Sequence, residues 1–372
     1  LRVALVYDRL NKVGGAEEIL IALSELYPLA DWYTSVYDPT RAPFAKNWNV
    51  YPSFLNRLPF FRSRHELVPF LMPFIFESFD FTSYDLVISV GSAEAKGLIT
   101  RPETLHVNYC LTPTRYLWSH KEEYLVNNQF GFLQKLLRPF GEKVISLLSR
   151  WDYVAAQRPD YMISISEHVK KRVQQYYHRE STVIYPPVDL SKFSQRGLKP
   201  QISNYYLVVA RLVPYKRLDL IVKAFNQSGR ELVIVGEGTS QRQLLKLAHP
   251  NIHFLGFIPD HELVGLYQHC SAFIQINEED FGIAMCEALA AGRPVIAFNR
   301  GGAQEIVTPG VNGLLYSAQT ASCLNTELDK YERMNFVAEK CRASVAKFAK
   351  VTWKKTYQSQ INALCQKQLV TK

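Results

Sequence analysis

The sequence predicts an α/β fold built twice, as two doubly wound parallel-sheet units in tandem. Three observations carry this. Short apolar runs of strand length alternate with amphipathic stretches of helical period, the pattern of parallel sheets covered by helices. The alternation pauses at a polar stretch, residues 191–203, and then restarts with the same grammar, although the second half is no copy of the first. The length, 372 residues, suits two domains that each bury a core. The boundaries read from this are a first domain over residues 1–190, a second over 191–350 and a basic terminal helix over 351–372.

Taken in order, residues 1–7 form a first strand and run straight into the fold without the pattern of a signal peptide. The turn Asn11-Lys12-Val13-Gly14-Gly15-Ala16-Glu17 leads into a helix with Ile19, Leu20, Leu23 and Leu26 on its apolar side. A glycine pair there is either a plain tight turn or a place where backbone approaches a phosphate at a helix N-terminus. Residues 54–79 mix Arg57, Arg62 and Arg64 with many Phe and Leu. That composition fits an interfacial surface, or an internal helix pair with ion-paired arginines. Residues 85–90 and 105–110 read as buried parallel strands. The first is followed by Gly91-Ser92 and the second by the loop Leu111-Thr112-Pro113-Thr114-Arg115-Tyr116-Leu117-Trp118. Polar and aromatic loops at strand carboxyl ends are where substrates sit. Residues 133–161 form a long helix, and residues 162–165 and 182–184 the last strands of this half.

In the second half, residues 205–210 are a strand followed by the loop Arg211-Leu212-Val213-Pro214-Tyr215-Lys216-Arg217 and a helix. Residues 231–235, 251–255 and 272–276 continue the strand series. An acidic loop, a helix opening near Phe281-Gly282 and a strand over 294–298 then complete a β-α-β unit.

The formal charge is +9, and residues 340–372 hold eight Lys and Arg against no acid, so the rest of the chain is nearly neutral. No basic nucleic-acid module is present. The basic tail suits an anionic lipid surface or a solvated helix face. Six scattered cysteines without paired spacing fit reduced thiols in a cytosolic protein, with no metal site. No run reaches the ~18 apolar residues of a spanning helix.

Chemistry concentrates in the second half. Glu279 stands on the acidic loop and Glu287 eight residues on, two turns into the helix, on one face with Ile283. Either glutamate alone reads equally as a solvated charge. Together, at a strand's carboxyl end, two acceptor-only groups suit a ligand rich in hydroxyls. Arg211 and Lys216 supply a planar fork and a compact charge on one loop, a set that suits a diphosphate. Gly301-Gly302 is a second glycine pair before a helix start. Gly236-Glu237-Gly238 starts like a dinucleotide fingerprint, but Gln241 occupies its third glycine position, so NAD is a poor fit. Cations for a diphosphate, backbone N–H groups for its oxygens and carboxylates for hydroxyls describe a sugar nucleotide.

These motifs resemble those of the retaining family-4 glycosyltransferases of the GT-B fold. Glu279 and Glu287 match that family's E-x7-E pattern, Arg211 and Lys216 its Arg-x4-Lys loop, and Gly301-Gly302 its later glycine pair. Gly14-Gly15-Ala16-Glu17, the Thr112 loop and Tyr185-Pro186-Pro187-Val188-Asp189 extend the likeness over essentially the whole chain. It is nearest to the mannosyltransferase-like branch of polysaccharide assembly.

The resemblance implies two Rossmann-like domains facing across a cleft, with the first binding the acceptor and the second the nucleotide sugar, and with the basic helix over 351–372 packing back on the first domain. It implies that Arg211, Lys216 and Glu279 carry the reaction. Arg211 and Lys216 would neutralise the diphosphate, Glu279 would hold the transferred sugar and Glu287 the ribose. Phe281, Gly282 and Ile283 would lie against the sugar, Phe257 and Ile258 would border the base, and Gly14 and Gly15 would donate from the first domain. Thr112, Arg115, Tyr116 and Trp118 would form the acceptor-side loop. It further implies no metal, a donor of GDP-mannose or UDP-glucose type, a lipid-linked or oligosaccharide acceptor, and a peripheral position on the inner face of the plasma membrane. One position departs from the branch, which carries His where this chain has Leu111; His106 and His120 lie nearby. A sugar-nucleotide epimerase and a non-catalytic sugar-nucleotide sensor are the competing readings.

Overall fold

Every strand pairing within the two sheets is parallel, and each sheet reverses its strand order once. The computed structural model describes residues 1–12, 14–64, 67–119, 121 and 134–370. The described chain divides into two units, residues 1–185 with 354–372 and residues 186–353.

The first unit contains β1 (Val3–Tyr7), α1 (Glu17–Leu26), β2 (Asp31–Thr34), β3 (Asn49–Pro52), α2 (Pro59–Ser63), α3 (Met72–Glu77), β4 (Leu86–Gly91), β5 (Leu105–Cys110), α4 (Gln134–Ala155), β6 (Tyr161–Ser164), α5 (Glu167–Tyr177) and β7 (Thr182–Val183). Its sheet runs β3-β2-β1-β4-β5-β6-β7. One face packs Ala4, Val6 and Val87 against Met72, Ile75 and Phe76. β4 and β5 are buried along their whole length, and their polar residues Ser89, His106 and Asn108 are hydrogen-bonded to one another inside the sheet.

The second unit contains β8 (Tyr206–Val209), α6 (Leu218–Ser228), β9 (Leu232–Val235), α7 (Gln241–Leu247), β10 (Ile252–Gly256), α8 (Asp260–His269), β11 (Phe273–Gln275), α9 (Ile283–Ala290), β12 (Val295–Phe298), α10 (Ala303–Ile306), β13 (Gly313–Tyr316), α11 (Ala321–Tyr331) and α12 (Ala338–Ser344). The sheet order is β10-β9-β8-β11-β12-β13. Leu232, Ile234, Ile274 and Ile296 form its core with Ile221, Val222 and Phe225 of α6 and Leu324 and Leu328 of α11. Those helix positions recur at helical spacing, and α6 ends where Gly229 takes a left-handed φ of 68°.

The strands β2, β3 and β13 go beyond the sequence reading. β2 (Asp-Trp-Tyr-Thr) and β3 (Asn-Val-Tyr-Pro) are four residues each and mix polar with aromatic residues, so they lack an apolar run. The helix expected over residues 133–161 stops at Ala155, because Pro159 cannot continue it and biases the residue before it toward extended backbone. Residues 54–64 and 67–79 form short helical turns rather than a pair of full helices, with Pro59, Pro69 and Pro73 at the first or second position of successive ones. All six cysteines are free, and Cys110, Cys270, Cys286 and Cys341 are buried. No described helix is long and apolar enough to cross a membrane.

The last helix, α13 (Lys350–Val370), starts in the second unit and belongs to the first from Lys354 onward. Trp353, Tyr357, Ile361 and Leu364 form its buried stripe. Tyr357 meets Tyr109 of β5 edge-to-face at 5.7 Å, and Lys354 pairs with Glu25 at 2.5 Å, so part of the basic tail is engaged by the protein. Tyr357→Ala should cost about 3–5 kcal/mol in urea unfolding, the range for emptying a buried aromatic site. A cost below about 1 kcal/mol, typical of surface positions, would show that the helix is not part of the first unit's core.

Candidate active site

In the second unit the strand order reverses between β8 and β11, so the connections leaving these two strands diverge and leave a crevice at their carboxyl ends. The loop after β8 carries Arg211 and Lys216, and the loop after β11 carries Glu279. The structure brings the two loops together: the Lys216 ammonium pairs directly with Glu279 Oε1, with side chains 12% and 19% exposed. Arg211 lies further out, its guanidinium donating to the Tyr215 hydroxyl at 2.9 Å. Gln275 Nε2 lies 3.4 Å from the same Glu279 oxygen.

Backbone packing fixes the carboxylate's loop. Gly302 N–H donates to the Glu279 carbonyl at 2.8 Å, and a Cβ on Gly302 would stand 1.9 Å from the Phe281 carbonyl oxygen. A Cβ on Gly301, at φ 62°, would stand 2.2 Å from the Glu279 carbonyl oxygen, so this glycine pair serves close approach of two loops. Gly236 and Gly238, on the loop after β9, press on the Arg211 loop in the same way: Cβ atoms there would stand 2.0 Å from the Ala210 oxygen and 2.3 Å from the Leu212 oxygen. Hydrogen bonds from Leu212 N to Glu237 O at 2.9 Å and from Ser240 N to Leu212 O at 2.8 Å complete that clamp.

Phe281 is buried edge-on against Phe348, and Gly282, at φ 110°, caps α9 in a conformation that side chains avoid. The first N–H groups of α9, from Ile283 on, open at the carboxyl end of β11. Glu287, one turn further, accepts a hydrogen bond from the Tyr267 hydroxyl at 2.8 Å. Burial pushes the Tyr267 phenol well up, and the Glu287 charge adds to this, so Tyr267 stays a donor. A small pocket beside Glu287 is lined by Phe193, Asp260, Leu263 and Tyr267. Phe257, 74% exposed, and Ile258 follow β10 at the sheet's edge, two strands from β8. Tyr267, Gln275 and the carbonyl contacts of Gly302 escaped the sequence reading, because nothing in the local pattern singles them out.

With this geometry in place, likeness to known proteins becomes informative. Residues 191–350 match the family model "Glycosyl transferases group 1". The chain is 28% identical over 166 residues to an uncharacterized glycosyltransferase of Methanocaldococcus jannaschii, covering 43% of this chain and 46% of that protein. It is 28% identical over 178 residues to a GDP-mannose-dependent alpha-mannosyltransferase of Mycolicibacterium smegmatis, covering 48% of this chain and 47% of that one. The chain thus spans about half the length of the curated relatives it matches. Among solved structures, Anabaena HepE in complex with UDP superposes with a TM-score of 0.69 at 18% identity, covering 98% of this chain and all of that one. The two parallel sheets and this superposition give the chain the GT-B fold. The matched stretch contains the whole Arg211, Lys216, Glu279 and Glu287 set.

The first unit has its own reversal of strand order, between β1 and β4. Asp8, just after β1, accepts hydrogen bonds from Ser92 N at 2.8 Å and Ala95 N at 2.9 Å. Gly14 and Gly15 are exposed on the loop after β1, where Gly14 N–H donates to Glu17. The loop after β5 turns inward. Tyr116 donates to Glu94 Oε1 at 2.5 Å, Trp118 Nε1 to Asp152 at 2.8 Å, and Arg172 lies 3.5 Å from the Thr112 hydroxyl. Leu111 and Arg115 are half-buried. His106 cannot stand in at position 111: it is fully buried in the sheet on Ser89 at 2.8 Å, and burial pulls its imidazole down to about 3. His120 lies outside the described residues.

Burial, reinforced by the Asp8 charge, pushes the Glu94 carboxyl up to about 7, against the opposing pull of Tyr116, Arg9 and Lys96. The folded chain therefore keeps a proton on Glu94 between its ordinary value near 4.5 and about 7, where the unfolded chain has released it. That contribution is fully present below about 4.5 and is lost as pH rises through about 7. Glu94→Gln keeps an acceptor for Tyr116 and removes the titration. Urea unfolding from pH 4.5 to 8 should show the variant gaining on wild type, by on the order of 3 kcal/mol across the window. Parallel pH profiles for the two proteins would refute the shifted carboxyl.

Proposed function

We propose that this protein is a retaining hexosyltransferase, using a nucleoside diphosphate sugar of GDP-mannose or UDP-glucose type and a lipid-linked or oligosaccharide acceptor in polysaccharide assembly. The observation that carries the reading is the pairing of Lys216 with Glu279 at the β8/β11 crevice, beside Arg211 and the N-terminus of α9. An incoming donor would divide that pair: its diphosphate takes Lys216 and Arg211, and its sugar hydroxyls take Glu279. Glu287 then accepts from the ribose hydroxyls, and Phe257 and Ile258 border the base. Gly14 and Gly15 contribute backbone donors from the first unit, and Thr112, Arg115, Tyr116 and Trp118 form the acceptor side.

The bond from the sugar's anomeric carbon to the diphosphate oxygen breaks while the bond to the acceptor oxygen forms on the same face. The acceptor's proton passes to the departing diphosphate oxygen. Negative charge grows on the diphosphate, where Lys216 and Arg211 stand preorganised, so no metal is needed in this reading.

In this reading the enzyme works at the inner face of the plasma membrane. Phe54, Leu58, Phe60, Leu67, Phe70 and Phe74 are all about half exposed or more. They alternate with Leu55, Val68, Met72 and Ile75, which pack inward. Exposed Arg57 and Arg64 lie among the outward rings, with Arg64 5.4 Å from the Phe60 ring, while Arg62 turns to Asp38. Aromatic rings with arginines at their rim suit headgroups of anionic lipid.

Thermal shift with GDP-mannose, UDP-glucose, GDP, UDP and NAD tests the donor site. One nucleotide sugar should stabilise wild type, by about 2.7 kcal/mol at a hundredfold excess over Kd, and should not stabilise Glu287→Ala. Lys216→Ala should lower turnover roughly 10²–10³-fold. A shift with NAD alone would overturn the reading. Sedimentation with phosphatidylglycerol vesicles tests the surface. Wild type should bind at low salt, release at high salt, and lose binding in a Phe60→Ala/Phe74→Ala variant; equal binding by wild type and variant would remove this patch from the reading.

A further inference from the structure

A single carboxylate, fully buried on α4, grips the loop that follows β5. Asp152 is 0% exposed. Its Oδ1 receives the Lys96 ammonium at 2.5 Å and the Thr114 hydroxyl at 2.8 Å. Its Oδ2 receives the Trp118 indole N–H at 2.8 Å and the Tyr177 hydroxyl at 2.8 Å. Lys96 is itself buried and also donates to the Ala93 carbonyl at 2.6 Å and to Thr114 Oγ1 at 3.1 Å, with the Tyr177 ring 5.3 Å away.

An ion pair out of water seldom stabilises a fold more than apolar side chains of the same size would, and its best-attested use is to select one arrangement. The arrangement selected here is a turn. Thr114 and Trp118 are its two ends, joined by the Trp118 N–H donating to the Thr114 carbonyl at 3.2 Å. One oxygen of Asp152 holds each end. Arg115 and Tyr116 lie between, so their departure from the turn is set by Asp152, and Tyr116 is then held on Glu94.

We propose that Asp152, charge-balanced by Lys96, is a positioning residue for the glycosyl acceptor: it holds the turn at residues 114–118, with Tyr116 anchored inward on Glu94, in the form that presents Arg115 to that substrate. The inference rests on the acceptor-side reading given under Proposed function. Asp152 itself does not touch substrate.

The test compares wild type with Asp152→Asn and with the neutral double variant Lys96→Met/Asp152→Asn. The single variant leaves a buried unpaired ammonium and can fail to fold, whereas the double variant removes that charge. Donor affinity is read by thermal shift. Transfer is read with the octyl glycosides of mannose, glucose and galactose as acceptor probes. The double variant should keep wild-type donor affinity while its acceptor KM rises about tenfold or more, the scale of effect of a small misplacement of a binding group. A folded double variant with wild-type acceptor KM overturns the inference and leaves the glycosyltransferase reading intact. Wild type that binds a donor and uses none of the three probes also overturns it, since the loop then presents nothing to a glycosyl acceptor. Wild type that binds no nucleotide sugar overturns the reading beneath it.

Discussion

The reversal of strand order within each sheet is the constraint from which the rest of this molecule follows. Where β8 and β11 lie side by side, their following helices must depart to opposite faces, and the carboxyl ends of the two strands are left uncovered. Any ligand-binding side chain has to be delivered there by the two short loops. Both loops are accordingly clamped by backbone contacts too close for any residue but glycine: Gly236 and Gly238, after β9, press on the Arg211 loop, and Gly301 and Gly302, after β12, press on the Glu279 loop. Main-chain rigidity, rather than side-chain packing, sets the distance between cation and carboxylate.

The two units use buried charge differently. In the second, Lys216 and Glu279 remain partly exposed, so water lowers the cost of separating them when a ligand arrives. In the first, Lys96 and Asp152 are sealed from water and surrounded by their own donors, which makes separation expensive. A partly solvated pair suits groups that must exchange partners, and a sealed pair suits a frame that must not. The same contact between ammonium and carboxylate thus serves binding in one place and shape in the other, and burial decides which.

Much of the fold was legible in the amino-acid order. β1, β4 and β5, and β8 to β12, are apolar runs bounded by turn residues, and burial on both faces makes such runs conspicuous. β2, β3 and β13 were not legible, because a four-residue strand at or near an edge gains its place from pairing rather than from its own pattern. Positions of candidate site residues could be read where chemistry and loop position coincide, as with Arg211, Lys216, Glu279 and Glu287. The pairing of Lys216 with Glu279 spans 63 residues and has no local signal. Asp152 was less legible still. Its partners lie 25, 34, 38 and 56 residues away, and its one local mark is an acid between Leu148 and Ala155 on a helix face that is otherwise apolar.

A site built from opposite charges already in contact has a consequence for how it selects ligands. A diphosphate alone would take Lys216 and leave Glu279 facing a second anion, while a neutral sugar alone would have to compete with the ammonium for the carboxylate. A ligand carrying both groups at the right separation relieves both costs at once, because each member of the pair gains a partner as it gives one up. Specificity arises in this way from the penalty for half-matched ligands as much as from attraction to the full one. Glu287, held by the Tyr267 hydroxyl on α9, adds a second carboxylate acceptor to the one on Glu279. In the proposed reading, the ligand that satisfies the cations and both carboxylates is one whose diphosphate sits between two hydroxyl-bearing ends.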